Sequence, residues 1–119
     1  MDWYLVKVVF RIICGDGEHT AQFDEQLRLI KATSKEEAFH KAQMLGLKEQ
    51  EVFFNQQEQL VQWQFVSISE LYRLDKLEDG AELYSRIEEQ DNAESYMHII
   101  HAKAEQIRFG NTLEMLNLV

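Results

Sequence analysis

The chain contains no proline and a single cysteine, Cys14. Without proline, and without any run rich in glycine and serine, nothing marks a linker, repeat or low-complexity segment. One unit over residues 1–119 is therefore expected, with a hairpin-helix-hairpin part (1–90) and a C-terminal helix with an apolar tail (91–119). One cysteine excludes an internal disulfide. No stretch approaches the roughly 18 apolar residues of a spanning helix, and the start, Met1-Asp2-Trp3-Tyr4, lacks the basic region of a signal peptide. A cytoplasmic location with no membrane contact is the expectation. Positive charge is also scarce: 12 Lys and Arg against 21 Asp and Glu leave a net charge of -9, which works against nucleic acid as a partner. What is present, 45% apolar and 28% charged residues, is the balance of one globular core.

From Tyr4 to Cys14 every second residue is apolar (Tyr4, Val6, Val8, Phe10, Ile12, Cys14), while the other set contains Lys7 and Arg11, the pattern of a half-buried strand. Asp16-Gly17 suits a two-residue type I′ turn, since both central positions need positive φ. That turn predicts Cys14 opposite His19, Phe10 opposite Phe23, Val6 opposite Leu27 and Tyr4 opposite Leu29, with Glu25 opposite Val8 as the one polar intruder.

Ser34 with Glu37 forms a capping box, and Ala38, Phe39, Ala42 and Leu45 share one arc of the helix it starts. Gly46 followed by Leu47 predicts a left-handed cap there. Beyond it the pattern predicts a short strand over 51–55, a polar turn Asn55-Gln56-Gln57-Glu58, and a long β-rich run from Leu60 to Leu74 with a bulge near Phe65. A further strand is expected over 81–88, then a second helix over about 92–108, capped by Asp91 and Glu94 and ended by Gly110. The last residues, Leu113, Met115, Leu116, Leu118 and Val119, are apolar enough to require a packing partner. The expected class is α+β: an antiparallel sheet of about five strands in the order β-β-α-β-β-β-α, with helices on one face.

Trp3-Tyr4-x-Val6, Cys14-Gly15-Asp16-Gly17, Phe23-Asp24-Glu25-Gln26, Ser34-x-Glu36-Glu37-Ala38, Trp63-x-Phe65 and Glu78-Asp79-Gly80-x-Glu82-x-Tyr84-Ser85-Arg86 together resemble a family of small bacterial proteins, Domain of Unknown Function 4288. The resemblance covers roughly residues 3 to 88. It implies a bacterial single-domain protein of the hairpin, helix, hairpin type, and it brings no activity and no functional residue with it.

Three constellations are candidates for chemistry. Cys14 and His19 form the sharpest enzyme-like pair, because an imidazole beside a thiol can activate it; a small buried residue beside a turn histidine is the plainer reading. Glu25, on an apolar hairpin face, is a candidate proton-transfer carboxylate or simply a residue at the sheet margin. Glu94, His98, His101 and Glu105 fall on one helical stripe, an oxygen and nitrogen set that suits Zn²⁺ or Ni²⁺ but equally a solvated face. Gly15-Asp16-Gly17 leads into a strand and lacks the Gly-Lys-Ser/Thr of a phosphate loop. No cofactor is expected.

Residues 75–119 hold ten acidic and four basic side chains, which suits either solubility or a basic protein partner. Trp3, Trp63, Phe53 and Phe54 fit core or sheet-face positions, or an interface. The leading expectation is a non-catalytic binding module that forms a homodimer through the apolar tail and a sheet edge. The alternatives are a small enzyme or ligand-binding protein with a cleft near Glu25 or Cys14 and His19, and an acidic inhibitor of a basic toxin or nuclease.

Overall fold

The computed structural model describes residues 1–110, so the apolar tail from Leu113 to Val119 lies outside the described residues. The described residues divide into two compact units, the first Met1–Leu83 and the second beginning at Tyr84. The first contains β1 (Asp2–Cys14), β2 (Gln22–Ala32), α1 (Lys35–Lys48), β3 (Glu51–Phe54) and β4 (Leu60–Leu74). These strands form one antiparallel sheet in the order β2-β1-β4-β3. The class is α+β as expected, with four strands rather than five: the segment over 81–88 is irregular. Leu83, Ser85 and Ile87 alternate, but among Glu82, Arg86, Glu88 and Glu89 they have too little apolar surface to hold a strand without a partner, and Ile87 is 94% exposed.

The most apolar strand, β1, lies at the centre. Its Tyr4, Val6, Val8 and Phe10 pack with Ile30 and Ala32 of β2 and with Ala38 and Ala42 of α1, while Trp63, Phe65, Ile68 and Leu71 of β4 close the sides. Val6, Val8 and Phe10 are the largest fully buried side chains, each worth roughly 1.5–3 kcal/mol of burial. The spacing of the β4 residues is not strictly alternate because two bulges interrupt it. Val66 is extra between the pairs Phe10↔Phe65 and Val9↔Ser67, and Ser69 between Val8↔Ile68 and Lys7↔Glu70. The bulge expected near Phe65 is there; the second keeps Leu71 on the core side.

The first hairpin differs from expectation by one residue of register. Tyr4 pairs with Ile30, Val6 with Arg28, Val8 with Gln26 and Phe10 with Asp24, and Glu25 lies opposite Val9. The turn is also not the two-residue type I′ turn which that register assumed. Positive φ occurs at Gly15 (60°) and Gly17 (84°), not at Asp16, and the strands separate after Ile12↔Gln22. A one-residue shift reverses faces, so Phe23, Leu27 and Leu29 stand exposed on the side away from α1, and Asp24, Gln26 and Arg28 share the side of the core.

Helix α1 starts at the expected cap: Ser34 Oγ accepts from the Glu37 amide at 3.1 Å. The Glu37 carboxylate, however, accepts from the hydroxyl and amide of Thr33 rather than from Ser34, and these hydrogen bonds hold it below the usual carboxylate range. The helix does not stop at Gly46 but continues to Lys48. Ala38, Ala42 and Gly46 form a stripe of small buried residues facing the sheet, and a Cβ at Gly46 would lie 2.3 Å from the Phe65 ring. Gly46 is a close-approach residue, not a cap.

In the second unit, α2 (Ala93–Glu105) continues into a π-helical turn, Gln106–Gly110. Its N-cap is Asn92, whose side chain accepts from the Ser95 amide at 3.0 Å, rather than Asp91; no residue of α2 is buried.

Candidate functional site

The end of α1 and the start of β3 create a concavity on the core side of the sheet. Because α1 runs to Lys48, Glu49 arrives beside Arg28 on β2, and the two form a bidentate pair at 2.6 and 3.1 Å. Arg28 also donates to Gln26 Oε1 at 3.0 Å, and Gln26 Nε2 donates to Asp24 at 2.6 Å. Three polar side chains on the inner face of a strand are thus satisfied by one another and by the helix end. Glu49 is held below the usual carboxylate range chiefly by its hydrogen bonds to Arg28, and the Arg28 guanidinium is raised by the same bonds.

The next residue, Gln50, closes the other side. β3 begins at Glu51, opposite Trp63, so the Phe65 amide, two residues further along β4, has no strand partner there. Gln50 Oε1 accepts from it at 3.0 Å. Between these anchors lies a cleft of about 490 Å³. Its floor is aromatic, with Phe10 and Trp63 6.3 Å apart and tilted by 53°, and Phe53 beside them. Its rim is Gln26, Glu49, Gln50, Glu51 and Lys48. The lining contains no Cys, Ser, Thr or His, and of its two carboxylates Glu49 is paired with Arg28. Such a surface can stack a planar or apolar group on the rings and offer amide hydrogen bonds at the edge.

Cys14 and His19 do meet, but through the backbone. His19 Nε2 accepts from the Cys14 amide at 3.0 Å and Nδ1 faces the Thr20 carbonyl at 2.8 Å, which makes Nδ1 the protonated nitrogen and leaves neither free for the thiol. Around them is a second cleft, of about 720 Å³, that also includes Asp16, Glu18 and Gln59. Glu25 is exposed on the opposite face of the sheet from the first cleft, and its neighbour Gln26 lines that cleft instead. Glu94, His98, His101 and Glu105 lie along exposed α2, and among the described residues no three His, Cys, Asp or Glu side chains are grouped to hold a metal ion. No helix among the described residues is long and apolar enough to cross a membrane.

Sequence reasoning placed Trp63 and Phe53 in the core or at an interface and missed Gln26, Glu49 and Gln50. The i, i+4, i+8 spacing of Ala38, Ala42 and Gly46 was the available signal: read as a packing stripe, it carries the helix past Gly46 and brings Glu49 to the sheet.

No curated protein and no solved structure matches the chain. The sequence does match, over residues 3–85, a family described only as a domain of unknown function. That span includes β2, α1, β3 and β4, all of β1 but its first residue, and every residue of the cleft, and the chain belongs to this family, Domain of unknown function (DUF4288).

Proposed function

We propose that the protein is a non-catalytic binding module of a bacterial cytoplasm, and that the cleft between α1, β1 and β3 is where its ligand sits. The observation that carries this reading is the pairing of an aromatic floor, Phe10, Phe53 and Trp63, with a rim on which the Glu49 carboxylate is neutralised by Arg28. A ligand here gains contact area and hydrogen bonds; the lining has no group prepared to attack it. Planar groups carrying amide or carbonyl functions, including the backbone of an extended peptide, have the matching chemistry.

Trp63 supplies the test, since the only other tryptophan, Trp3, lies on the opposite face of the sheet. In a Trp3→Phe background, a library of planar amide-bearing fragments at millimolar concentration is expected to change the Trp63 fluorescence. Phe53→Ala is expected to weaken the best fragment about tenfold, equivalent to about 1.4 kcal/mol. If no fragment moves the signal, the cleft is not a binding site and the reading fails.

A further inference from the structure

Strand β2 is an edge of the sheet, and its pairing with β1 runs without a bulge from Gln22 to Ala32. A regular edge strand presents a row of unmatched backbone amides and carbonyls, which soluble proteins usually blunt with bulges, charge or a covering segment. Here the side chains flanking that edge are largely apolar on the face away from α1: Phe23, Leu27 and Leu29 are 55%, 53% and 44% exposed. We propose that β2 pairs antiparallel with β2 of a second copy of this chain, about a two-fold axis through Gln26, joining two four-stranded sheets into one. The interface shares Gln26 with the rim of the cleft, but it rests on the strand edge and does not require that the cleft bind a ligand.

The register follows from complementarity. A two-fold axis between identical antiparallel strands sets one residue opposite its own copy. An axis at Arg28 gains Glu25 against Lys31 but places two guanidiniums face to face. An axis at Leu27 sets Phe23 against Lys31 and Asp24 against Ile30, and so forgoes both an apolar pair and an ion pair. At Gln26, Phe23 meets the second copy's Leu29 and Asp24 meets the second copy's Arg28, each pair occurring twice, with the two Gln26 amides between them. Arg28 has the capacity: its known bonds to Gln26 and Glu49 use three of its five N–H groups. In this register Glu25 falls opposite Leu27 and keeps its carboxylate in water.

Light scattering at micromolar concentration is expected to give a dimer, and Leu29→Lys, at an exposed site, a folded monomer by circular dichroism. Directly opposed residues in antiparallel strands lie about 4.5–5.5 Å apart between Cα atoms, within the roughly 4.4–6.8 Å that a disulfide spans. Gln26→Cys in a Cys14→Ser background is therefore expected to lock the dimer on mild oxidation. Leu29→Cys, six positions from its own copy and so about 20 Å away, is expected to stay reduced. A monomeric intact chain, a dimer that survives Leu29→Lys, or locking at position 29 instead of 26 overturns the proposal.

Discussion

Hairpin β3–β4 is closed by one side chain, whereas hairpin β1–β2 is closed by several groups spread along a loop. Asn55 Oδ1 accepts from the amides of Gln57 and Gln59 at 2.9 and 3.0 Å, the Asn55 amide donates to the Gln59 carbonyl at 2.9 Å, and Glu58 takes the left-handed conformation (φ 60°) that lets the chain reverse. In β1–β2 the Gly17 amide donates to Cys14, the Glu18 amide to Asp16 Oδ1, and the Cys14 amide to the His19 ring, across residues 15–21. The tight turn sets its strand register locally. The loose one leaves register to what the strands pack against: Ile30 and Ala32 enter the core beneath α1, and the rest of β2 follows in phase. Local turn chemistry governs one hairpin and tertiary packing the other.

Gly46→Ala is the most forceful way to break that contrast. The added methyl collides with the Phe65 ring, and overpacking of this kind costs roughly 1–3 kcal/mol, beyond the gain of up to about 1 kcal/mol in helix propensity. Denaturant unfolding is expected to show the net loss. Amide exchange is expected to show where it falls: if α1 sets the register of β1–β2, protection drops along β2 while the amides of Gln57 and Gln59 keep theirs. Equal loss in both turns would remove the distinction.

Asn55→Ala against His19→Ala sharpens it from the other side. Asn55 satisfies two backbone amides at once, so its loss is expected to cost about 1–2 kcal/mol, as for a helix cap. His19 satisfies one exposed amide, and its loss is expected to cost about 0.5–1 kcal/mol. Paired urea melts check the order. A larger effect at His19 would mean that the first turn, not α1, holds that hairpin.

The same contrast explains what could be read from the residues. β4, both ends of the second hairpin and the Ser34 cap were legible because short-range patterns determine them: Asn55 with a left-handed residue three positions on, and Ser34 with Glu37. The β2 register was not, because Phe23, Leu27 and Leu29 look like core residues and the polar ladder Asp24, Gln26, Arg28 looks like surface. Only the arrival of Glu49 at Arg28, 21 residues away, makes the inner placement of an arginine tolerable. The cleft depends on the same long-range event, and its one local sign is the stripe Ala38, Ala42, Gly46, which resembles a helix ending in a glycine cap. Cys14 and His19 were correctly placed near one another, but what joins them is a backbone amide that residue types do not reveal.

The smallest expected effect concerns that clamp. Glu49 is held below its ordinary value by Arg28, so the pair contributes stability above the unfolded carboxylate pKa of about 4.3, and the contribution is lost as pH falls through the lower folded value. Both side chains are about a third exposed (32% and 39%), so solvent screens the pair and its worth is at most about 1 kcal/mol. Glu49→Gln keeps the side-chain shape and removes the charge. Its stability deficit relative to the native chain is expected to be constant from about pH 7 to pH 5 and to shrink toward zero at more acid pH, as the native carboxylate is itself protonated. The clamp also fixes the rim of the cleft next to a strand whose register packing determines, so Glu49→Gln is further expected to raise amide exchange at Gln26 and Arg28 more than at Gln57 and Gln59. A deficit that persists below pH 3 would place the role of Glu49 in packing rather than charge. Unchanged exchange at Gln26 and Arg28 would show that the helix end does not hold β2 in phase.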